Sequence, residues 1–405
     1  MSQQEMIVAG VMSGTSADGI DVALVRISPG DAKSPPGISK DLRNHGHERP
    51  RHTISLIGHR AFPYSSRVRA AILLAMNAES ASVADLARLN FLLGELYADA
   101  VAATQRRFAV KVHLVGCHGQ TLYHQGAARP FLGRRVATTW QTGEGAVVAA
   151  RIDVPVVSDF RPADMAVGGK GAPLVPYLDY MWFRDQAIGR IVQNIGGIAN
   201  LTAIPARADL KQILAFDTGP GNMVIDAVTH ELFGSGFDRG GKIAASGKII
   251  DGVVKKLLHR SFFRSTPPRT AGREEFGRQF VREFLRACGR ARKQDVVATA
   301  TALTAYSIRD AIQRFVISKS GNFQEIVISG GGTKNRTLVQ MLERQLSPLN
   351  LKVRLSDEFG LPSQAKEAVA FALLAYETWN RRPSNVPSAT GAKRPAILGK
   401  VSYAL

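Results

Sequence analysis

The 405-residue chain has only two cysteines, Cys117 and Cys288, and aromatic residues make up only 7% of it. Two distant thiols do not make a disulfide framework, and neither stands in a zinc-binding spacing. The sequence also lacks the run of about 20 apolar residues that a membrane-spanning helix requires. Its first residues show no secretory-signal pattern. We therefore expect a cytoplasmic globular protein without a membrane partner.

Acidic residues are scarce relative to basic ones, 33 against 52, so the formal net charge is +19. The basic residues are scattered and are not interleaved with aromatic residues, which argues against a nucleic-acid partner. A general attraction for anionic substrates such as ATP is compatible with this charge. No G-x-x-x-x-G-K-[ST] loop, H-R-D loop or G-x-S-x-G elbow occurs, which excludes a standard P-loop, a protein-kinase catalytic loop and a hydrolase elbow.

The length exceeds what one hydrophobic core usually uses, so two domains are expected. Apolar strands alternate with helical patterns and end in polar or glycine-rich loops, which is typical of α/β proteins. Two strand–turn–strand units, at 6–27 and 189–204, suggest two related halves. Residues 29–53 carry three histidines but no periodicity, and we predict a solvated loop there. We predict helices over 83–107, 299–316 and 366–379, and strands over 112–115, 154–157, 189–195, 198–204, 213–216 and 326–329.

The first strand–turn–strand unit contains the most informative segment, the tip Gly10–Asp21. Glycine allows close approach of the backbone to a ligand, and amide and hydroxyl groups in such a turn suit a phosphate. An ordinary hairpin turn uses the same residue types. Two carboxylates in the tip, Asp18 and Asp21, could orient a Mg²⁺ shell or hold a neighbouring lysine.

Asp217 is the strongest candidate for a catalytic carboxylate. It is predicted to end a strand immediately before Thr218-Gly-Pro-Gly221 and a helix N-terminus, where phosphate is favoured. A carboxylate in that place can accept a proton from a nucleophile. The alternative is that Asp217 or Thr218 only caps the helix.

Three further strand ends carry candidate residues. Gly330–Gly332 follows an apolar strand and would allow a flat ring or a ribose against the backbone, with a plain tight turn as the alternative. His118, with Gln120 and Thr121, could bind a polar ligand, or His118 could be structural. Asp159, Arg161 and Asp164 could bind sugar hydroxyls or form salt bridges with each other.

Together, M-S-G-T-S-x-D-G-x-D at 12–21 and D-x-G-P-G-N at 217–222 resemble the anhydro-N-acetylmuramic acid kinase family, a branch of the sugar kinase/heat-shock/actin superfamily. Further matching stretches extend to residue 391. The resemblance implies an α/β fold of two RNase-H-like (actin-like ATPase) domains flanking a central cleft. One domain would span 1–158 and be completed by 368–405, and the other would span 159–367.

The resemblance also implies Mg²⁺- and ATP-dependent conversion of 1,6-anhydro-N-acetylmuramic acid to N-acetylmuramic acid 6-phosphate with ring opening, a step of peptidoglycan recycling. Asp217 would be the base that activates water, and the family is compatible with a homodimer. A levoglucosan kinase and a non-catalytic nucleotide-binding sensor are the alternatives. Lys170 and Ala271 stand where Gln and Thr are usual, which concerns the sugar rather than the kinase assignment. The implied sugar-binding residues are His118, Asp159, Arg161 and Glu367, and the implied nucleotide-binding residues are Gly14, Thr15, Ser16, Asp18, Gly19, Asp21, Gly196, Gly197, Gly219, Gly221, Asn222, Gly330, Gly331 and Gly332.

Overall fold

The computed structural model describes residues 4–29, 52–318 and 321–404. The predicted loop therefore lies outside the described residues, apart from its ends, Pro29 and His52-Thr53, which belong to strands. The chain forms two compact units: unit 1 comprises Met1–Trp182 and Ala365–Leu405, and unit 2 comprises Phe183–Gln364. Residues 159–182, which we expected in the second domain, group with unit 1.

The described residues form twelve strands. They are β1 (Met6–Ser13), β2 (Gly19–Pro29), β3 (His52–Pro63), β4 (Leu114–Phe131), β5 (Arg134–Thr142), β6 (Val156–Ser158), β7 (Gly189–Ile195), β8 (Ile198–Ile204), β9 (Leu214–Pro220), β10 (Phe323–Ser329), β11 (Lys352–Leu355) and β12 (Lys400–Ser402).

The same residues form fifteen α-helices, none of which is long and apolar enough to cross a membrane. They are α1 (Ser66–Ala75), α2 (Val83–Phe108), α3 (Gly145–Ile152), α4 (Phe160–Ala166), α5 (Pro176–Phe183), α6 (Asn222–Phe233), α7 (Lys242–Ala245), α8 (Asp251–Leu258), α9 (Ser261–Arg264), α10 (Arg273–Phe276), α11 (Arg278–Cys288), α12 (Lys293–Ile312), α13 (Arg336–Leu346), α14 (Lys366–Trp379) and α15 (Pro387–Thr390).

The two sheets have the same topology. The sheet of unit 1 has the order β12-β6-β4-β1-β2-β3, with β5 paired to β4, and the sheet of unit 2 has the order β11-β10-β7-β8-β9. In each, the first three strands form an antiparallel meander, and two further strands extend the sheet in parallel beside the first strand. This shared order confirms the two related halves that the sequence suggested.

Helix α14 lies directly against the sheet of unit 1. Gly10 of β1 and Gly116 of β4 are register partners, and a Cβ on Gly10 would lie 1.8 Å from the Ala368 carbonyl oxygen. A Cβ on Gly116 would lie 2.2 Å from the Phe371 carbonyl oxygen. Glycine is required at both positions because the helix backbone occupies the space of a side chain.

The neighbours of Gly10 along β1 face the other side of the sheet, because side chains alternate along a strand. Ala9 and Val11 pack in a fully buried cluster with Leu93 and Tyr97 of α2. Thus α2 and α14 cover opposite faces of this sheet. In unit 2 a larger buried cluster joins the sheet residues Ile191 and Ile326 to α6 and α12.

Several predicted elements are confirmed: β7, β8 and α14 have the predicted bounds, and α2 is one residue longer. Others were wrong. The strand predicted over 112–115 begins at Leu114 and continues to Phe131, because its polar second half pairs with β5. The strand predicted over 213–216 continues to Pro220 by pairing with β8. The hairpin tip shrinks from 10–21 to 14–18, and α12 begins at Lys293, six residues earlier than predicted.

We predict that Gly116→Ala destabilises the protein by about 2 kcal/mol or more, because its methyl group would displace the backbone of α14. The free energy of unfolding, or the thermal midpoint, measures this effect. Gly252→Ala is the matched control, since nothing lies within 4 Å of the new Cβ and alanine favours a helix. Equal stability of both variants would contradict the packing argument.

Candidate functional site

The tip of the first hairpin in unit 1 is a short exposed loop over residues 14–18. Ala17 has a φ of 53°, and its N–H donates to the Gly14 carbonyl at 3.1 Å. Ala17 is buried, while Thr15, Ser16 and Asp18 are exposed. The loop therefore presents hydroxyl groups and one carboxylate outward from a buried anchor.

The two tip carboxylates have basic partners. Asp18 Oδ1 lies 3.5 Å from an Arg69 guanidinium nitrogen, and Asp21 Oδ1 lies 2.9 Å from His59 Nε2. The partners are thus an arginine and a histidine, not the lysine that the sequence analysis considered. No group of three or more metal-ligating side chains occurs among the described residues. Mg²⁺ usually needs only one or two carboxylates besides substrate phosphates, and Asp18 and Asp21 fit that requirement.

His118 in the first half of β4 and Arg161 in α4 form a polar centre. Arg161 Nε donates to His118 Nε2 at 3.1 Å, so His118 Nδ1 carries the proton and donates to the Gly119 carbonyl at 2.8 Å. The His118 ring also packs against Phe371, with centroids 4.4 Å apart. Burial and the Arg161 charge lower the pKa of His118 well below its usual value. His118 is therefore a neutral residue that orients a guanidinium.

Arg161 is held at two points, since it also donates to the Gly171 carbonyl at 2.8 Å. Burial lowers its pKa to about 10, and the Glu367 charge acts in the opposite direction. Glu367 lies in the first turn of α14 and its side chain is exposed. Partial desolvation outweighs the attraction of Arg161 and Lys366 and raises the pKa of Glu367. The charges of Arg161 and Glu367 thus act on each other's pKa in opposite directions to desolvation.

Asp159 and Arg161 do not form the salt bridge that the sequence left open. Asp159 Oδ2 instead lies 3.2 Å from Lys400 Nζ. The third charged residue of this segment, Asp164, is buried and structural: it accepts from the Gly171 N–H at 2.8 Å and from Asn385 and Thr390 at 2.7 Å each. It therefore shapes the loop that holds Arg161.

In unit 2, Asp217 lies within β9 rather than at its end. Its Oδ2 accepts from the Ala271 N–H at 2.6 Å, and its backbone N–H donates to the Arg269 carbonyl at 3.1 Å. The buried Arg269 side chain donates back to the Asp217 carbonyl at 2.9 Å. The carboxylate is half-buried and fixed in orientation. It does not act as the cap of α6, whose N-cap residue is Gly221.

The glycines of unit 2 converge on one place. The amides of Gly221 and Asn222 donate to the carbonyls of Gly197 and Gly196, at 2.9 and 2.7 Å. These two amides at the N-terminus of α6 are thus bonded within the protein. The sequence analysis had expected a helix N-terminus that is free to bind phosphate. A Cβ on Gly332 would lie 2.4 Å from Ile195 Cγ2, and one on Gly331 would meet Asn222 Nδ2 at 3.5 Å.

The remaining candidate glycines differ in how close an added Cβ would come to neighbouring atoms. A Cβ on Gly219 would lie 2.7 Å from Ser307 Oγ, and one on Gly330 would lie 2.7 Å from Asn194 Oδ1, so both are close-packed. A Cβ on Gly14 would lie 3.9 Å from its nearest neighbour, and one on Gly196 or Gly197 would lie 3.5 Å away. Gly14, Gly196, Gly197 and Gly331 are therefore the candidate glycines at which a Cβ would make only ordinary contacts.

The sequence analysis did not predict several residues that hydrogen-bond to the candidate residues and hold them in place. His59 orients Asp21, Arg269 clamps the backbone of Asp217, and Gln120 and Tyr64 bind the hairpin tip. No spacing in the sequence marks these contacts, because they come from strand pairing and from turns distant in the chain. Gln120 alone among them was noted, as a residue that could bind a polar ligand together with His118; its contact with the hairpin tip was not predicted.

We predict that His118 makes the protein less stable below about pH 6.5. The unfolded histidine binds a proton there while the folded one does not, so stability falls as pH falls. Between pH 7.5 and 5.5, the loss due to His118 is about 1.4 kcal/mol, because an unfolded histidine of pKa about 6.5 is protonated ten to one at pH 5.5.

Urea denaturation at both pH values tests this. His118→Gln is expected to remove that part of the pH dependence. His124, whose pKa is lowered to about 4 by burial, contributes in the same direction to both proteins and cancels in the comparison. His230→Gln, at an exposed site, is the control, and an identical pH dependence in all three proteins would contradict the prediction.

Comparison with known proteins gives the family. Residues 6–404 match the profile of the family described as anhydro-N-acetylmuramic acid kinase. The chain is 41% identical over 401 residues to the anhydro-N-acetylmuramic acid kinase of a Bacillus cereus strain, and 40% identical to that of Bacillus thuringiensis subsp. konkukian. In both cases the alignment covers 98% of this chain and 99% of the relative. Among solved structures, component A of the (R)-2-hydroxyglutaryl-CoA dehydratase from Acidaminococcus fermentans is similar with a TM-score of 0.42 and 13% identity, over 92% of this chain and 98% of that chain. The near-complete match to the profile and to these relatives shows that the chain belongs to the anhydro-N-acetylmuramic acid kinase family.

Proposed function

We propose that this kinase transfers the γ-phosphoryl group of ATP to O6 of 1,6-anhydro-N-acetylmuramic acid while water opens the anhydro ring. Water adds its oxygen to C1, the C1–O6 bond breaks, and O6 takes the phosphoryl group. The products are N-acetylmuramic acid 6-phosphate and ADP, and the proton lost by water passes to Asp217. The observation that carries the proposal is the fixed, half-buried carboxylate of Asp217 within a D-x-G-P-G-N segment of this family.

Asp217 fits the role of general base. The Ala271 N–H holds Oδ2 at 2.6 Å, and Arg269 fixes the backbone on which the carboxylate stands. A base held in one orientation does not have to be ordered during the reaction, which lowers the entropic part of the barrier. The carboxylate can therefore accept a proton from water at the moment when the C1–O bond forms.

We assign phosphate binding to the loop 14–18 of unit 1, and we consider the nucleotide-binding residues of unit 2 by themselves. Exposed hydroxyl groups on Thr15 and Ser16, and space around Gly14, support phosphate binding. Asp18 and Asp21 would hold Mg²⁺, which neutralises charge on the phosphates when bound. In unit 2, Gly196, Gly197 and Gly331 lack side chains at positions where a Cβ would meet no neighbour closer than 3.5 Å, which supports approach of a ribose or base to the backbone.

We assign the sugar to the polar residues in the first half of β4 and at the starts of α4 and α14. Arg161 offers guanidinium donors, and Glu367 offers an exposed carboxylate that can accept from sugar hydroxyls. Asp159 adds a second carboxylate, and His118 acts through Arg161. A cytoplasmic location, where ATP is available, and a homodimer complete the proposal.

The proposed reaction is tested by ADP release from Mg-ATP with 1,6-anhydro-N-acetylmuramic acid, with levoglucosan, or with no sugar. We expect release with the muramic compound alone. In ¹⁸O-labelled water, the label should appear on C1 of the product and not in the phosphate. Release with levoglucosan alone would identify the simpler sugar as the substrate, and no release with either sugar would overturn the proposal.

We predict that Asp217→Asn lowers turnover by about two to four orders of magnitude, the range typical of a lost general base. The amide oxygen can still accept from the Ala271 N–H, so fold and nucleotide affinity should persist. Binding of a fluorescent ADP analogue, measured beside turnover, separates the two effects. Asp209→Asn is the control in the same unit, because asparagine caps a helical turn as well as aspartate does. Turnover of Asp217→Asn within tenfold of the wild type would contradict the assignment.

A further inference from the structure

Ser13, the last residue of β1, is the centre of a hydrogen-bond cluster beneath the loop 14–18. Its hydroxyl donates to Gln120 Oε1 at 2.6 Å and lies 2.9 Å from the Tyr64 hydroxyl. The Gly19 carbonyl lies 3.2 Å from the same hydroxyl. Ser13 is 2% exposed, so its hydroxyl is satisfied by the protein rather than by solvent. The loop thus begins at a buried serine with three polar neighbours.

Gln120, in the first half of β4, hydrogen-bonds to both Ser13 and Gly14, the residues at which the loop begins. It is fully buried, accepts from Ser13, and donates through Nε2 to the Gly14 carbonyl at 3.2 Å. The Gln120 amide therefore accepts a hydrogen bond from Ser13 and donates one to Gly14. This contact crosses from β4 to β1, beyond the point where their register shifts between Val11 and Ser13.

Tyr64 holds the opposite side of the loop. Its backbone N–H donates to the Asp18 carbonyl at 3.0 Å, and its hydroxyl contacts Ser13 and, at 3.4 Å, the Tyr97 hydroxyl. Burial raises the pKa of Tyr64, so the hydroxyl keeps its proton at neutral pH. Because the Ser13 hydrogen is directed to Gln120, Tyr64 can supply a hydrogen to the Ser13 oxygen.

We propose that Gln120 and Tyr64 are positioning residues that hold the loop 14–18 in the conformation that binds the phosphates of the nucleotide. The proposal rests on the nucleotide assignment made above and deepens it. The loop itself contains one backbone hydrogen bond, from Ala17 to Gly14, and its tip is exposed. Its geometry therefore depends on residues outside it. Gln120 holds Ser13-Gly14 and Tyr64 holds Ser13 and Asp18, while the exposed Arg69 guanidinium contacts the Ser16 carbonyl at 3.4 Å and Asp18 at 3.5 Å.

A loop held in its binding conformation before the ligand arrives avoids the cost of ordering it on binding. Its amide and hydroxyl donors also remain directed at the phosphate during the reaction. Loosening either end should therefore weaken nucleotide binding selectively. The residues assigned to the sugar lie in β4, at the start of α4 and in α14, outside the loop 14–18, and should be affected much less.

The test uses the full chain with Tyr64→Phe and Gln120→Met. The first variant removes one hydroxyl and keeps the ring; the second removes both polar ends and keeps the length of the side chain. We expect each to raise the KM for ATP, and the Kd for a fluorescent ADP analogue, about tenfold, the effect of one or two lost hydrogen bonds. The KM for the sugar should stay within twofold. Hydrogen exchange of the amides of residues 14–18 should become faster.

Tyr123→Phe and Gln125→Met are the matched controls, because these residues lie farther along β4 and hydrogen-bond to each other at 3.0 Å. Both controls should keep the wild-type constants. A thermal midpoint lowered in Tyr64→Phe and Gln120→Met, with KM and Kd within twofold of the wild type, would overturn the proposal, since the cluster would then be only structural. The double variant Ser13→Ala with Tyr64→Phe should raise the Kd for the ADP analogue by less than the product of the two single fold-changes. Both substitutions remove the same hydrogen bond, so their effects are not additive in free energy.

The nucleotide and reaction assignments fail in different ways. A wild-type protein that binds the ADP analogue but phosphorylates neither sugar would overturn the reaction, while the Kd and the exchange rates would still decide the role of Gln120 and Tyr64. A wild-type protein that binds no ADP analogue would overturn the positioning proposal together with the nucleotide assignment.

Discussion

The direct contact between the backbone of α14 and two strands is the constraint on which unit 1 depends. Gly10 and Gly116 are register partners, and neither leaves room for a Cβ beneath the helix. Since the helix cannot move away without opening a gap in a close-packed interior, its first turn has a fixed height above the sheet. Glu367 is placed in that turn, and Phe371 one turn later packs on His118.

Polar groups buried beside α14 fix its two ends. At the N-terminus, Lys366 Nζ lies 2.8 Å from Asp179 Oδ1, with both side chains almost fully buried. Near the C-terminus, Glu377 contacts Arg382 and accepts from the Tyr177 hydroxyl at 2.8 Å. Buried charges are tolerated only when they are paired. These pairs therefore specify one position of the helix along its axis, which the small apolar residues between them would not do.

The two units share a strand order but carry different residues around their hairpin tips. In each unit a glycine-containing tip joins the first two strands of an antiparallel meander, and a parallel strand follows beside the first strand. Unit 1 has charged side chains beside its tip, Asp18 and Asp21 with Arg69 and His59. Unit 2 has backbone groups and glycines at its tip, with one oriented carboxylate, Asp217. In each unit an arginine donates to main-chain carbonyls near candidate residues: the half-buried Arg161 in unit 1 and the buried Arg269 in unit 2.

The sequence by itself determined the elements whose signal is local. The apolar runs of β7 and β8, the helical period of α2 and α14, and the paired hairpins could be predicted because neighbouring residues carry the pattern. The family motifs likewise pointed to Asp217 and to the tip Gly14–Asp21.

Tertiary structure alone decided which residues distant in the chain pair with each other. Polar residues after Leu122 became strand because β5 supplied hydrogen bonds, Asp164 became structural because Asn385 and Thr390 reach it, and Gln120 met Gly14 across 106 residues. Such contacts depend on strand register and helix height, which are set by packing of the whole unit and leave no periodic trace in the sequence.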